Sequence, residues 1–316
     1  MPLFTSTKSQ EFSGISEVKG FPSLKELVFE DMSNLKGWAS VQDGQLLPLL
    51  TELAVIDCPL LEEFPSFPSS VVKLKISETG FTILPEIHTP SSQVSSSLVC
   101  LQIHQCPNLS LEQGLLCQKL STLQQLTITG CPELTHLPVE GFRALIALKS
   151  IHIYDCPKLE PSQQHSLLPF MLEDLRISSC SNLINRLLRE IDETSSMINL
   201  AITDCASLHY FPVKLPATLK KLEIFHCSNL RCLPPGIEAA SCLVAMTILN
   251  CPLIPSLPEQ GLPQSLKELY IKECPLLTKS CKENDGEYWP KIAHVPTIEI
   301  EDDSTMTDWS IRRRLF

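Results

Sequence analysis

One pattern of twelve residues recurs along the chain and limits what the chain can fold into. Its clearest copy is Leu219–Leu230, which reads L-x-x-L-x-I-x-x-C-x-x-L. Ten further copies align with it, and their ninth positions, from Met32 to Cys274, recur with a mean period of about 24 residues. A pattern repeated this often indicates an array of similar structural units rather than an ordinary globular domain.

The ninth position of each copy is nearly always a cysteine. In order these residues are Met32, Cys58, Thr79, Cys106, Cys131, Cys156, Cys180, Cys205, Cys227, Cys251 and Cys274. Single intervals range from 21 to 27 residues. That range lies inside the period of leucine-rich repeats and below the periods of ankyrin, tetratricopeptide and propeller arrays.

The pattern also predicts the geometry of each unit. In every copy the Leu-x-Ile segment predicts a short strand that places two apolar side chains inward and the residue between them outward. The cysteine then turns the chain off the sheet, and a return rich in proline follows. We therefore expect an α/β repeat solenoid, a leucine-rich-repeat horseshoe with a parallel β-sheet on its concave face and mostly irregular convex returns. Helical turns are expected only near residues 112–120 and 185–193.

The array predicts three parts of the chain. Residues 1–20 are polar and are expected to form a leader or a partial N-terminal cap. Residues 21–300 are expected to form a solenoid of about eleven repeats, with a C-terminal cap near 286–300, where Pro296–Ile300 alternates like a last strand. Residues 301–316 form an acidic and then basic tail.

Charge and hydropathy exclude several classes of function. The net charge is −11 and the only basic run is Arg312–Arg314, so we expect no nucleic-acid partner. The sequence contains no run of about 20 apolar residues, which is the length that a membrane-spanning helix needs. Residues 1–20 lack the apolar core of a signal peptide, so we expect a cytoplasmic or nuclear protein.

The cysteines are predicted to be structural. Nine of the fourteen occupy the same repeat position. Neighbours in a stack could be bridged in principle, but such a ladder has no natural pairing, and free cysteine is often buried. Cys227 follows His226, yet an activated thiolate needs an exposed electropositive pocket. The spacing of a zinc site is absent as well. We expect reduced core thiols, no catalysis, no metal and no cofactor.

The outward strand positions are the candidate binding surface. They form two columns along the concave sheet, and they include aromatic and aliphatic side chains where a purely solvated face would carry small or charged ones. The alternative is ordinary sheet stabilisation, because such residues also favour strands. The residues predicted to bind a protein partner are His104, His152, Tyr154, Arg176, Glu223, Phe225, Leu249, Tyr270 and Lys272.

Several segments resemble one known family. The C-x-x-L repeats, the Leu-Pro returns, the segment Gly261–Leu269 and the ending Tyr-Trp-Pro-Lys-Ile-Ala-His-Val-Pro resemble the leucine-rich-repeat half of plant NB-LRR disease-resistance proteins of the coiled-coil class. The resemblance covers about residues 20–300. The chain has no G-x-x-x-x-G-K-[ST] phosphate loop, so it lacks the nucleotide-binding site of that family.

The resemblance implies a protein-binding module of plant innate immunity. Such a module would recognise a pathogen effector or a guarded host protein, or would regulate a nucleotide-binding domain. Two alternatives stay open. A substrate-recruiting adaptor of a ubiquitin ligase could use the same solenoid, although residues 1–20 show no F-box-like helices. An extracellular receptor ectodomain is disfavoured by the missing signal peptide and the unpaired cysteines.

Overall fold

A computed structural model of the chain describes residues 21–301, except for 38–46, 63–66, 85–86, 89–95, 118–119, 139–141, 143, 161–167, 192–193 and 213. The predicted leader at 1–20 lies outside the described residues, and so does the predicted tail at 301–316 except for Glu301, which ends the last strand. Within the described ranges, no helix has both the length and the apolar character needed to cross a bilayer.

One parallel sheet of twelve strands runs the length of the described chain, and it confirms the predicted leucine-rich-repeat solenoid. Every strand pairs with the strand of the next repeat in the same register, so that the two inward apolar residues of one strand lie beside those of the next. In β11–β13 leucine lies beside leucine and isoleucine beside isoleucine. The strands are β1 (Glu26–Glu30), β2 (Glu52–Cys58), β4 (Lys73–Thr79), β7 (Cys100–His104), β9 (Gln125–Thr129), β10 (Ser150–Tyr154), β11 (Asp174–Ser178), β12 (Asn199–Thr203), β13 (Lys221–Phe225), β14 (Ala245–Leu249), β15 (Glu268–Lys272) and β16 (Thr297–Glu301).

The returns carry little regular structure. Two short parallel pairs join β3 (Phe67–Pro68) to β6 (Ile87–His88) and β5 (Ile83–Leu84) to β8 (Ser110–Gly114). In the described ranges, the helices with defined bounds are α1 (Ser181–Glu190), α2 (Pro275–Cys281) and α3 (Trp289–Ile292), with 3₁₀ turns at Leu115–Cys117 and Ile237–Ala239. Of the two predicted helical turns, the second, at 185–193, overlaps α1, which starts four residues earlier and ends at Glu190. In the first, at 112–120, β8 extends to Gly114 and a 3₁₀ turn follows at Leu115–Cys117. Residues 118–119 and 192–193 lie outside the described ranges.

A single hydrophobic core extends along the solenoid. The two inward residues of each strand, the cysteine after it and the leucines that flank it are almost fully buried in the central repeats. Burying one leucine or isoleucine side chain contributes about 1.5–3 kcal/mol to the free energy of unfolding. Each repeat covers the apolar side of its neighbour, so the stability of one repeat depends on the next.

The turn after each strand has a conformation that the pattern did not predict. The residue just before the cysteine position has a positive φ, between 49° and 65°, in all eleven copies. Only the fifth copy uses glycine, at Gly130, while the others use polar residues such as Asp155 and Asn250. Asparagine and aspartate tolerate this left-handed region better than other residues with a side chain.

The left-handed residue connects each repeat to the next. Its N–H donates to the carbonyl of the last strand residue in the following repeat, as from Gly130 to Tyr154 at 2.9 Å and from Asp155 to Ser178 at 3.0 Å. The thiol of each of the nine repeat cysteines lies 3.1–3.6 Å from the same kind of carbonyl in its own repeat. One carbonyl, such as that of Tyr154, therefore accepts from two repeats. The cysteine acts both as a small core residue and as the donor that closes the turn.

Candidate functional site

The two predicted columns lie on one face of the twelve-stranded sheet, as expected. In the strands β9–β12 they alternate with buried leucine and isoleucine, and most of their members are partly accessible. Backbone pairing fixes the order of these side chains, because residues in register lie about 4.8 Å apart on adjacent strands. His152 lies between Thr127 and Arg176, and Tyr154 lies between Thr129 and Ser178.

Asp174 is the centre of a charged cluster on β10 and β11. Its Oδ2 lies 3.2 Å from His152 Nε2, and its Oδ1 accepts from Arg176 Nε at 3.3 Å. Ser150 Oγ lies 3.1 Å from the same histidine nitrogen. The side chains of Asp174, His152 and Arg176 are about three-quarters buried, so the Asp174–Arg176 ion pair is stronger than a fully exposed one.

The electrostatics of the cluster follow from this geometry. Burial by itself raises the pKa of Asp174, but the hydrogen bond from His152 and the positive charge of Arg176 outweigh it, and the net pKa is lowered. Burial lowers the pKa of Arg176, and the Asp174 carboxylate more than reverses that effect. Burial raises the pKa of the Tyr154 hydroxyl. Asp174 and Arg176 are therefore both charged at neutral pH, and Tyr154 is neutral.

A concavity of about 460 Å³ opens beside this cluster. Polar side chains from five strands and the residues that precede them line most of it: Gln102, Gln124, Gln125, Thr127, Lys149, Ser150, His152, Glu173, Asp174 and Asn199. Ile198 is the one large aliphatic residue in the lining. The concavity offers many hydrogen-bond donors and acceptors.

Three of the predicted residues lie towards the C-terminal end of the sheet. Leu249, Tyr270 and Lys272 line a narrow cleft of about 20 Å³ together with Glu299 and Glu301. Lys272 Nζ lies 3.2 Å from Glu301 Oε2. The structure thus divides the predicted site into a central polar region on β9–β12 and a smaller apolar region on β14 and β15.

Two predicted residues are not available on the surface. Phe225 is only 1% exposed, so the prediction that it is an accessible anchor is wrong. Thr203 and Leu249 lie on either side of it in register. Glu223 is also buried, and its carboxylate lies 2.8 Å from Lys221 Nζ.

His104 lies apart from the cluster, three strands from Asp174 in the sheet order. Burial and the charge of Lys75 lower its pKa, so it is neutral at pH 7.

Asp174 itself is not among the residues predicted from the sequence. The two columns were counted from the residue between leucine and isoleucine, whereas each strand begins one residue before the leucine. Asp174, Arg176 and Ser178 alternate on the same face of β11. Residues two positions apart on a strand share a face, so the sequence Asp-Leu-Arg could have placed Asp174 beside Arg176 on the binding surface.

The repeat cysteines lie in the core. All nine are buried and free. Burial raises the pKa of Cys58 and Cys106, and raises that of Cys205 to about 12. A thiol with such a pKa is protonated at neutral pH and is a poor nucleophile. A hydrogen bond with Cys251 lowers the pKa of Cys227 and that of Cys274, but both thiols are fully buried. In the described part of the chain, no group of three or more His, Cys, Asp or Glu residues is placed to hold a metal ion.

Comparisons with known proteins point to one group of relatives. The disease resistance protein RPS4B of Arabidopsis thaliana is 27% identical over 288 residues, which cover 89% of this chain and 22% of that protein. A protein described as disease resistance RPP13-like protein 1, also from Arabidopsis thaliana, is 27% identical over 60% of this chain and 16% of its own length. One described as disease resistance protein RGA1, from Solanum bulbocastanum, is 31% identical over 42% of this chain and 10% of its own length.

The chain therefore spans between a tenth and a quarter of these relatives. No protein-family model matches the chain. Among solved structures, the leucine-rich repeat domain of the type III effector XopL covers 79% of this chain and 77% of that chain, with 20% identity and a TM-score of 0.47. The sheet described above is that of a leucine-rich-repeat solenoid, and the chain is similar in sequence to parts of plant disease resistance proteins.

Proposed function

We propose that the chain is a non-catalytic, protein-binding module of plant innate immunity. Through its concave face it recognises a pathogen effector or a guarded host protein, or regulates a nucleotide-binding domain. The observation that carries the proposal is the cluster of Asp174, His152 and Arg176 beside the polar concavity. The relation to disease resistance proteins supports the immune context.

The lining of the concavity favours a protein over a small molecule. Pockets for small ligands are mostly apolar and enclose most of the ligand. The concavity on β9–β12 is open, and all but one of its lining residues carry an amide, hydroxyl, imidazole or charged group. Such a surface suits the polar rim of a protein interface, where hydrogen bonds and ordered water fix the orientation of the partner.

Partly accessible aromatic and aliphatic residues provide the anchors that such an interface needs. Tyr154 lies next to the polar cluster, with its ring centre 6.1 Å from that of His152. Tyr270 and Leu249 lie further along the same face. Tyrosine and arginine are the residues that most often contribute strongly to binding, so we assign the main contributions to Tyr154, Arg176 and Tyr270.

A photo-crosslinking experiment tests the proposal and at the same time identifies the partner. A photoreactive amino acid is placed at Tyr154 or Tyr270, and a matched control carries it at Glu133, an exposed residue paired with Lys158 outside the two columns. The proteins are expressed in leaves with and without pathogen challenge, and crosslinked proteins are identified by mass spectrometry. We expect an effector, a host target or a nucleotide-binding protein to be crosslinked from Tyr154 and Tyr270 but not from Glu133.

A second variant links the crosslink to the cluster. Arg176→Ala removes one arm of the Asp174 cluster and should reduce the yield of the Tyr154 crosslink at least about tenfold, the loss typical of an important interface residue. Equal crosslinking from Glu133 and Tyr154, or a yield unaffected by Arg176→Ala, would contradict a binding role for this face.

A further inference from the structure

A β-turn precedes most strands of the large sheet, and its two central residues are directed to solvent. The N–H of the first apolar residue of the repeat donates to the carbonyl three residues earlier, as from Leu148 to Leu145 and from Leu172 to Pro169, both at 3.1 Å. In the other repeats the central residues are mostly small or carry hydroxyl groups, for example Ser69, Ser70, Ser121, Thr122, Ala217, Thr218, Ser241 and Ser265.

The turn before β2 departs from this pattern with Leu49, which is 52% exposed. Two adjacent repeats depart from it together. The turn before β10 has Ile146 at its first central position, and the turn before β11 has Phe170 and Met171. Ile146 is 69% exposed, Phe170 is 74% exposed and Met171 is 47% exposed. Ile146 and Phe170 are the most exposed large apolar side chains among the described residues.

These side chains lie side by side. Ser150 pairs with Asp174 in register, and Ile146 and Phe170 each lie four residues before the paired residue, in turns with the same hydrogen bond. Adjacent strands are about 4.8 Å apart, so the two turns are in contact range. We call the surface formed by Ile146, Phe170 and Met171 the turn ridge.

The turn ridge replaces groups that stabilise other repeats. At the second central position Thr122, Thr218 and Ser265 each donate to the carbonyl of the first apolar residue in the preceding repeat, at 2.7–2.8 Å. Ala147 and Met171 occupy that position in the two exceptional turns and have no hydroxyl to donate. These two repeats thus lose a hydrogen bond and expose apolar surface, which folding of this chain does not require.

We propose that the turn ridge is a second docking surface, and that it binds an uncharged segment of a protein partner with at least two large apolar side chains. The exposed apolar area is on the order of 350 Å², well below the roughly 800 Å² per subunit of a stable interface, which favours a short segment over a second copy of the chain. Lys149 and Glu173 follow the two turns and lie 3.1 Å apart, so their charges neutralise each other. A charged partner gains nothing at this surface.

A random-peptide library tests the proposal. Phage that display random 12-residue peptides are selected against the complete chain, and the Kd of each selected peptide is measured by fluorescence polarisation. The test variant carries Ile146→Ser, Phe170→Ser and Met171→Thr, residues that other repeats already use in these turns, so it should fold. Tyr210→Ser is the matched control, because Tyr210 is 60% exposed elsewhere on the solenoid.

We expect selected peptides with two or more large apolar residues and a net charge near zero. Their affinity should fall at least tenfold for the triple variant and should not change for Tyr210→Ser. Circular dichroism and the Tm check that the triple variant is folded. The proposal is overturned if no peptides are selected, if they are mainly charged, or if they bind the triple variant as tightly as the unmodified chain. It is also overturned if their binding depends on Tyr154, or if centrifugation shows a dimer that the triple variant abolishes.

Discussion

The left-handed residue before each cysteine leads to a specific prediction about stability. Asp155 has a φ of 52°, and its N–H donates to Ser178 of the next repeat at 3.0 Å. Replacing it with valine places a β-branched side chain in a conformation that L-residues avoid. Replacing it with glycine removes the steric restriction and keeps the N–H, as Gly130 does naturally one repeat earlier.

The magnitudes follow from the backbone conformation. The left-handed region costs an L-residue about 1–2 kcal/mol, aspartate less and β-branched residues more, so Asp155→Val should lower the free energy of unfolding by about 2 kcal/mol. Asp155→Gly relieves strain but increases the entropy of the unfolded chain by the equivalent of about 0.4–1 kcal/mol. The two effects nearly cancel, and the glycine variant should lie within about 0.5 kcal/mol of the original protein.

Urea unfolding followed by far-UV circular dichroism measures these differences. Thr129→Val is the control, because Thr129 lies in an extended strand, where a β-branched residue is favourable, and it should change stability by less than about 0.5 kcal/mol. An unchanged m-value for all variants would show that the same structure unfolds. A valine variant as stable as the glycine variant would refute the role assigned to the left-handed turn.

Three further predictions concern the thiols and the charged cluster. With a thiol reagent, Cys232 and Cys242, which are exposed, should react quickly in the native protein, and their replacement by serine should remove that fast phase. The nine repeat thiols should react only in denaturant, and rapid native labelling of any of them would contradict their burial. Cys205→Ala should lower the free energy of unfolding by about 1–3 kcal/mol, because it leaves a void and removes the turn-closing donor, and denaturant titration checks this. Asp174→Asn should lower the Tm at pH 7, and the difference should shrink as the pH falls from 5 to 2: the lowered pKa means that ionised Asp174 stabilises the fold above the usual carboxyl pKa, and protonation removes that contribution. A Tm difference independent of pH would show that the charge of Asp174 is unimportant.

The repeat pattern was enough to predict the sheet because each copy restates the same local rule. Leu222, Ile224 and Cys227 face the core, as their spacing requires, and so do their equivalents in every central repeat. The helices were predicted less well, since they lie in returns whose lengths and sequences differ. Helix α2 follows the last cysteine position directly and was not anticipated from Pro275–Cys281.

The candidate site was predicted only in outline. Alternation assigned His152, Tyr154 and Arg176 correctly to the concave side, because a strand has a period of two. It could not show that Asp174 joins two of them, since that contact depends on the side-chain conformations of neighbouring strands. Nor could it show that Phe225 is enclosed.

The sequence by itself determined the repeat class, the register and the identity of the core, because those depend on spacing that is visible in one dimension. Tertiary structure alone decided which outward residues are accessible, which charges are paired, and that the turns before β10 and β11 place Ile146 and Phe170 next to each other. These properties arise between residues about 24 positions apart, where curvature and side-chain packing, rather than local pattern, set the distances.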